Sequence, residues 1–114
     1  MSKTYVFDLD GTICTEKEKG THYSYFADAK PIMPVIEKMR KLHDNGNKII
    51  ISTARHMGTT NGNIGLINAR VSHLTIEWLN KHKVPYDEVY FGKPLGDYYI
   101  DDRAMTLEEF NNHG

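Results

Sequence analysis

The sequence predicts an open α/β domain, a parallel sheet with helices on both faces, and three observations carry that expectation. Short apolar runs (TYVF, KIIIS, EVYF, DYYI) alternate with stretches whose apolar residues recur at the helical period. The three successive isoleucines Ile49, Ile50 and Ile51 suit a strand covered on both sides, as in parallel sheets. Four polar signals then fall at or just after the ends of these runs: Asp8 with Asp10, Ser52 to Arg55, Gly92 to Pro94, and Asp101 with Asp102.

Taken in order, TYVF is the first strand and ends at Asp8. Pro34 suits the first turn of a helix that turns Val35, Ile36, Met39 and Leu42 to one side, and DNGN stops it. KIIIS is the second strand. A second helix begins between Asn68 and Thr75, carries Leu74, Trp78 and Leu79 inward, and closes on Lys81, His82 and Lys83 with Pro85 beyond. EVYF is the third strand, DYYI the fourth, and LEEF a last short helix. Strands separated by helices of this length make βαβ units. Residues 13–33 and 56–71 stay irregular; both follow strands and so belong at the carboxyl edge, where open α/β sheets bind ligands and where either segment can act as a lid.

A chain of 114 residues fits one domain, residues 1–114, without a separate cap. With 14 Lys and Arg against 15 Asp and Glu, no global field draws nucleic acid or anionic lipid. Neither is an expected partner. One cysteine, Cys14, excludes an internal disulfide framework, and the six histidines show no metal-ligand spacing. No apolar stretch reaches membrane-spanning length and MSKTYVF lacks a signal peptide's apolar core, so the expectation is a soluble cytoplasmic protein.

The strand-end residues suit phosphoryl transfer. Side chains at positions i and i+2 of an extended segment lie on one side, so Asp8 and Asp10 are aimed together, and Gly11 lets the chain turn behind them. Gathered carboxylates repel one another and an anionic ester, which calls for a hard divalent cation; oxygen-only ligands favour Mg²⁺. A carboxylate can then attack phosphorus, and a second acid can move the protons. A hydroxyl and an ammonium would hold the non-transferring oxygens.

DLDGT, IISTAR, GKP and YIDD, in this order, resemble the four motifs of the haloacid dehalogenase superfamily in its phosphatase branch, which has a Rossmann-like fold. The resemblance implies Asp8 as nucleophile and metal ligand, and Asp10 as general acid/base and, through its backbone carbonyl, metal ligand. It makes Thr53 the second-motif hydroxyl, Lys93 the third-motif ammonium, and Asp101 and Asp102 the metal acids. Gly11, Thr53, Ala54, Arg55 and Lys93 would border the substrate. ADAKPI, GNIG and FGKPLGDYYIDDRA are similar to small capless phosphatases of capsule and polysaccharide biosynthesis, which implies a sugar phosphate as substrate. Without a cap, access falls to the two loops or to a second subunit of a homo-oligomer.

Several residues admit two readings. Arg55 and His56 either grip distal groups of a substrate or lie at the surface. Tyr23, Tyr25 and Phe26 either stack on a sugar or pack over the core. Thr53 could simply satisfy a strand-end amide and Asp102 could cap the segment after it. Cys14 lacks the arginine six residues on that a cysteine phosphatase needs, Gly20 standing there, and is read as a packing residue. A non-catalytic module that binds a phosphorylated ligand on the same fold is the alternative function.

Overall fold

Three parallel strands, β1 (Thr4–Phe7), β2 (Lys48–Thr53) and β3 (Glu88–Phe91), form one sheet in that order. Their register sets Phe7 against Ile51 and Thr53 against Phe91, so all three strands end along one edge. The computed structural model describes residues 2–18 and 20–113. Helices α1 (Met33–Asp44), α2 (Met57–Thr60), α3 (Ile64–Ile67), α4 (His73–Lys81) and α5 (Leu107–Asn111) complete it, with a 3-10 turn at Tyr23–Ala27 and a π turn at Asn68–Ser72.

Local chemistry explains most boundaries. Pro34 lies in the first turn of α1, and Gly46, at φ +89°, reverses the chain after it. Thr106 and Glu109 form a reciprocal capping box at the start of α5. The second expected helix is longer at its front than periodicity indicates: helical turns begin at Ile64 and reach α4 through the π turn. In that stretch Thr75 is fully buried, while Leu74, expected inward, is only half-buried.

The core gathers on one side of the sheet, where Phe7, Ile49 and Ile51 meet Val35, Ile36 and Met39 of α1, Trp78 and Leu79 of α4, and Phe110 of α5. Phe110 stands edge-on to Phe7 at a centroid distance of 5.2 Å. The isoleucine triplet is less symmetric than expected: Ile49 and Ile51 are buried, but Ile50 is half-covered and its neighbour Val6 is 64 % exposed.

The expected fourth strand is not formed. Residues 97–100 pair with no strand, Ile100 is 97 % exposed, and β1 has a free outer edge among the described residues. A local closure takes the place of the ladder: the Tyr99 hydroxyl donates to the Pro94 carbonyl (2.8 Å) and accepts from the Gly96 amide (3.0 Å). A short apolar run shows that DYYI can be a strand; it does not supply the long-range pairing that makes it one. Among the described residues, no helix is long and apolar enough to cross a membrane.

Candidate active site

Asp8 and Asp10 bracket Leu9, which is fully buried and pins the acid pair to the core. The Leu9 carbonyl accepts from the amides of Thr12 (3.1 Å), Ile13 (2.8 Å) and Cys14 (3.3 Å), so the chain coils tightly behind the acids. Gly11 makes that coil possible at φ +84°, where an added Cβ would stand 2.6 Å from a Glu16 carboxylate oxygen.

Lys93 arrives from the end of β3. Its amide donates to the Thr53 carbonyl (3.1 Å), extending the β2–β3 ladder past Gly92, whose φ of +91° turns the chain. The ammonium is thereby brought 3.7 Å from Asp8 Oδ1, and it also stands 4.3 Å from the Tyr99 ring centroid. Asp8 and Lys93 are both partly open to solvent, so an anion can approach them.

Asp10 is held by Arg55. The guanidinium donates to both carboxylate oxygens, Nε to Oδ2 at 3.0 Å and Nη2 to Oδ1 at 2.6 Å, and Nη1 donates to Thr75 Oγ1 at 3.0 Å. Its plane lies 4.0 Å from the Phe26 ring centroid. The Arg55 side chain is 0 % exposed, so the expected substrate grip is corrected: the residue faces inward and orients Asp10. The Thr53 hydroxyl is also buried and accepts from the Arg55 amide (3.0 Å). Ala54 is half-buried between them. Cys14 lies beneath, its thiol 3.4 Å from Asp10 Oδ1; burial first, and then the Asp10 charge, push its pKa up to about 12. A neutral thiol is no nucleophile.

Asp101 and Asp102 stand apart. Both are exposed, and Asp101 accepts from the Arg103 amide (2.9 Å), which holds its carboxyl below the usual range. The expected convergence of these acids with Asp8 and Asp10 is corrected on this point: among the described residues no three His, Cys, Asp or Glu side chains gather as a cation site. The cause is the missing fourth strand. The donors are hard oxygens of the type Mg²⁺ prefers, but as placed they do not fit the ion.

Sequence reading missed Thr75 and Arg70. A polar residue inside the inward stripe Val71, Thr75, Trp78, Leu79 is the available signal for the first. Arg70 carries none, because its neighbours His56 and Tyr23 come from distant loops.

An acid pair and a lysine at the carboxyl edge of a parallel sheet, each delivered by a separate strand end, define a haloacid dehalogenase-type phosphatase. Residues 2–113 match the family described as the polynucleotide kinase PNKP phosphatase domain, and the chain belongs to that family. A crystal structure of a protein from Vibrio cholerae is similar at 41 % identity and a TM-score of 0.87, covering 100 % of this chain and 90 % of that one. The fold is shared by a chain of the Pnkp1/Rnl/Hen1 RNA repair complex (20 % identity, TM-score 0.59, 86 % of this chain and 28 % of that one). It is shared also by D,D-heptose 1.7-bisphosphate phosphatase from B. bronchiseptica, complexed with magnesium and phosphate (11 % identity, TM-score 0.50, 90 % and 54 %). No curated protein matches the chain.

Proposed function

We propose that this phosphatase hydrolyses a small phosphate monoester, a sugar phosphate of polysaccharide biosynthesis, in the cytoplasm, through an aspartyl-phosphate. The observation that carries the reading is the 3.7 Å approach of Lys93 to Asp8 beside an Asp10 that is already gripped and aimed. Asp8 Oδ1 forms a bond to phosphorus as the ester P–O bond breaks, and Asp10, entering the step protonated on a lone pair that the Arg55 fork leaves open, gives that proton to the leaving alkoxide. Asp10 then takes a proton from water as that water attacks the same phosphorus, which frees Asp8 and releases phosphate. Lys93 holds the non-transferring oxygens. Nothing in this sequence of steps requires a nucleic acid, and the balanced net charge supports a small metabolite.

Mg²⁺ is proposed as the cofactor on the chemistry of its donors, Asp8 and the Asp10 carbonyl with Asp101 and Asp102. Those last two reach the others if YYID (Tyr98–Asp101) pairs alongside YVFD (Tyr5–Asp8) on the free edge of β1. The test is a phosphate-ester panel assayed with Mg²⁺ and with EDTA, beside Asp8→Asn and Asp10→Asn. Turnover that persists in EDTA rejects the metal, and full activity in Asp8→Asn rejects the aspartyl-phosphate. Tight binding of esters without turnover would favour a binding module.

A further inference from the structure

Next to Arg55, the residue that grips Asp10, begins a group of cationic and aromatic side chains that the reaction does not use. Arg55 and His56 are consecutive, yet they serve different neighbourhoods: Arg55 turns to Asp10, while His56 turns to Arg70 and Tyr23. Arg70 Nη1 lies 3.5 Å from His56 Nε2, and its guanidinium stands 5.7 Å from the Tyr23 ring centroid. Tyr23 in turn meets His56 edge-on at 5.3 Å and stacks with His22 at 4.2 Å.

The charges in this group are all of one sign. Among the described residues, Arg70, Lys17 and His22 have no carboxylate within ion-pair distance. Burial first, then the charges of Arg70, Lys17 and His22, lower the His56 pKa. His56 is 7 % exposed, its Nδ1 is buried without a hydrogen-bond partner, and its backbone sits at φ +67°. A non-glycine residue held in the left-handed region, beside a guanidinium without a carboxylate partner and with an unmet polar atom, is an arrangement that folding alone does not favour. An anion placed against Arg70 would supply the missing counter-charge and meet a planar fork.

The two neighbourhoods are mechanically joined. The 3-10 turn Tyr23–Ala27 lays Phe26 on Arg55 and Tyr23 on His56, and Phe26 packs with Ile67 and Val71 on either side of Arg70. We propose that Arg70 and His56, framed by Tyr23, form a subsite for a second anionic group, a phosphate or carboxylate, on a small substrate whose scissile phosphate sits at Asp8. The inference rests on the phosphatase reading above and narrows its substrate class to bis-anionic metabolites.

Binding and turnover, measured separately, test it on two probes that share a skeleton, fructose 6-phosphate and fructose 1,6-bisphosphate. Calorimetry on Asp8→Asn protein is expected to show the bisphosphate bound about tenfold or more tightly, and Arg70→Ala to remove that preference. In the active enzyme, Arg70→Ala is expected to raise KM for the bisphosphate about tenfold more than for the monophosphate, with partial recovery in Arg70→Lys. Matching melting curves for the Arg70 variants and the parent secure the comparison, and His56→Asn, which tolerates positive φ, gives an independent variant expected to weaken the same preference. Equal affinity for both probes, or equal losses on both in Arg70→Ala, overturns the subsite. A 3′-phosphorylated dinucleotide that outcompetes the bisphosphate and depends on Arg70 overturns the small-metabolite assignment. Turnover without the preference leaves the phosphatase reading standing and removes the subsite; an Arg70-dependent preference without turnover does the reverse.

Discussion

Arg55 donates to both carboxylate oxygens of Asp10, at 2.6 and 3.0 Å, from a position fully enclosed by the protein. A carboxylate held by a planar fork has its direction fixed, which a proton donor to a leaving group requires. Breaking a buried pair from one side strands the other charge at a cost of about 3–5 kcal/mol. Arg55→Ala is therefore expected to lose stability in this range in urea denaturation. Arg55→Lys should keep most of the stability while kcat falls by about tenfold or more, because a point charge cannot hold both oxygens. Unchanged kcat in Arg55→Lys would show that Asp10 needs no such grip.

Lys93 and Asp8 are partly exposed, so their pairing contributes little to folding. Lys93→Ala should leave the unfolding free energy from urea titration within about 0.5 kcal/mol of the parent and reduce turnover by about a hundredfold or more. Asp8→Asn should cost about a thousandfold or more. Single-turnover assays with a chromogenic phosphate ester read both. Parent-level rates in Lys93→Ala would move the ammonium's task to another group.

Cys14 lies against the acid/base yet is held neutral, with its pKa pushed up to about 12. Native protein should resist iodoacetamide at pH 8 and react quickly once unfolded in urea, which mass spectrometry can follow. Cys14→Ala should retain activity within about tenfold, its loss reflecting a disturbed Asp10 rather than a missing nucleophile. An inactive, fully folded Cys14→Ala would reopen cysteine chemistry.

Burial and the charges around His56 depress its pKa below 6.5, so the unfolded chain takes up the proton first as pH falls. Its contribution to stability is whole above pH 6.5 and is lost as pH drops from there through the folded-state value. His82, also depressed by burial, adds in the same direction. Denaturation midpoints between pH 7.5 and 5 should therefore fall more steeply in the parent than in His56→Asn; parallel profiles would contradict the depressed value.

What could be read in advance was what local rules decide. The proline start of α1, the strand at Ile49–Ile51, EVYF and the final capped helix all follow from spacing and turn chemistry, and the strand-end rule put Asp8 and Lys93 at one edge. Arg55 was opaque because an arginine after a strand looks like surface until Asp10, Thr75 and Phe26 are seen to enclose it. Arg70 and His56 meet only through the fold. DYYI shows the limit most plainly, since an apolar run marks a possible strand and does not determine its pairing.

Ile100 decides where that segment belongs in the working enzyme. In this structure it is 97 % exposed, and a substitution at such a position should change stability by no more than about 0.5 kcal/mol. If YYID instead pairs with YVFD, alternation sets Ile100 beside Phe7 on the face that carries the core and Asp101 beside Asp8. Burying an isoleucine there stabilises by about 1.5–3 kcal/mol, so Ile100→Lys should lower the unfolding free energy from urea titration by a comparable amount. It should also cut kcat/KM together with Asp101→Asn, although neither side chain touches Asp8 in the unpaired arrangement. Tyr99→Phe separates the two arrangements further. It removes the hydroxyl that closes on Pro94 and Gly96, so it should free the segment to pair and leave kcat/KM equal to or above the parent's. A neutral Ile100→Lys with full activity would place the catalytic acids entirely on β1 and its turn.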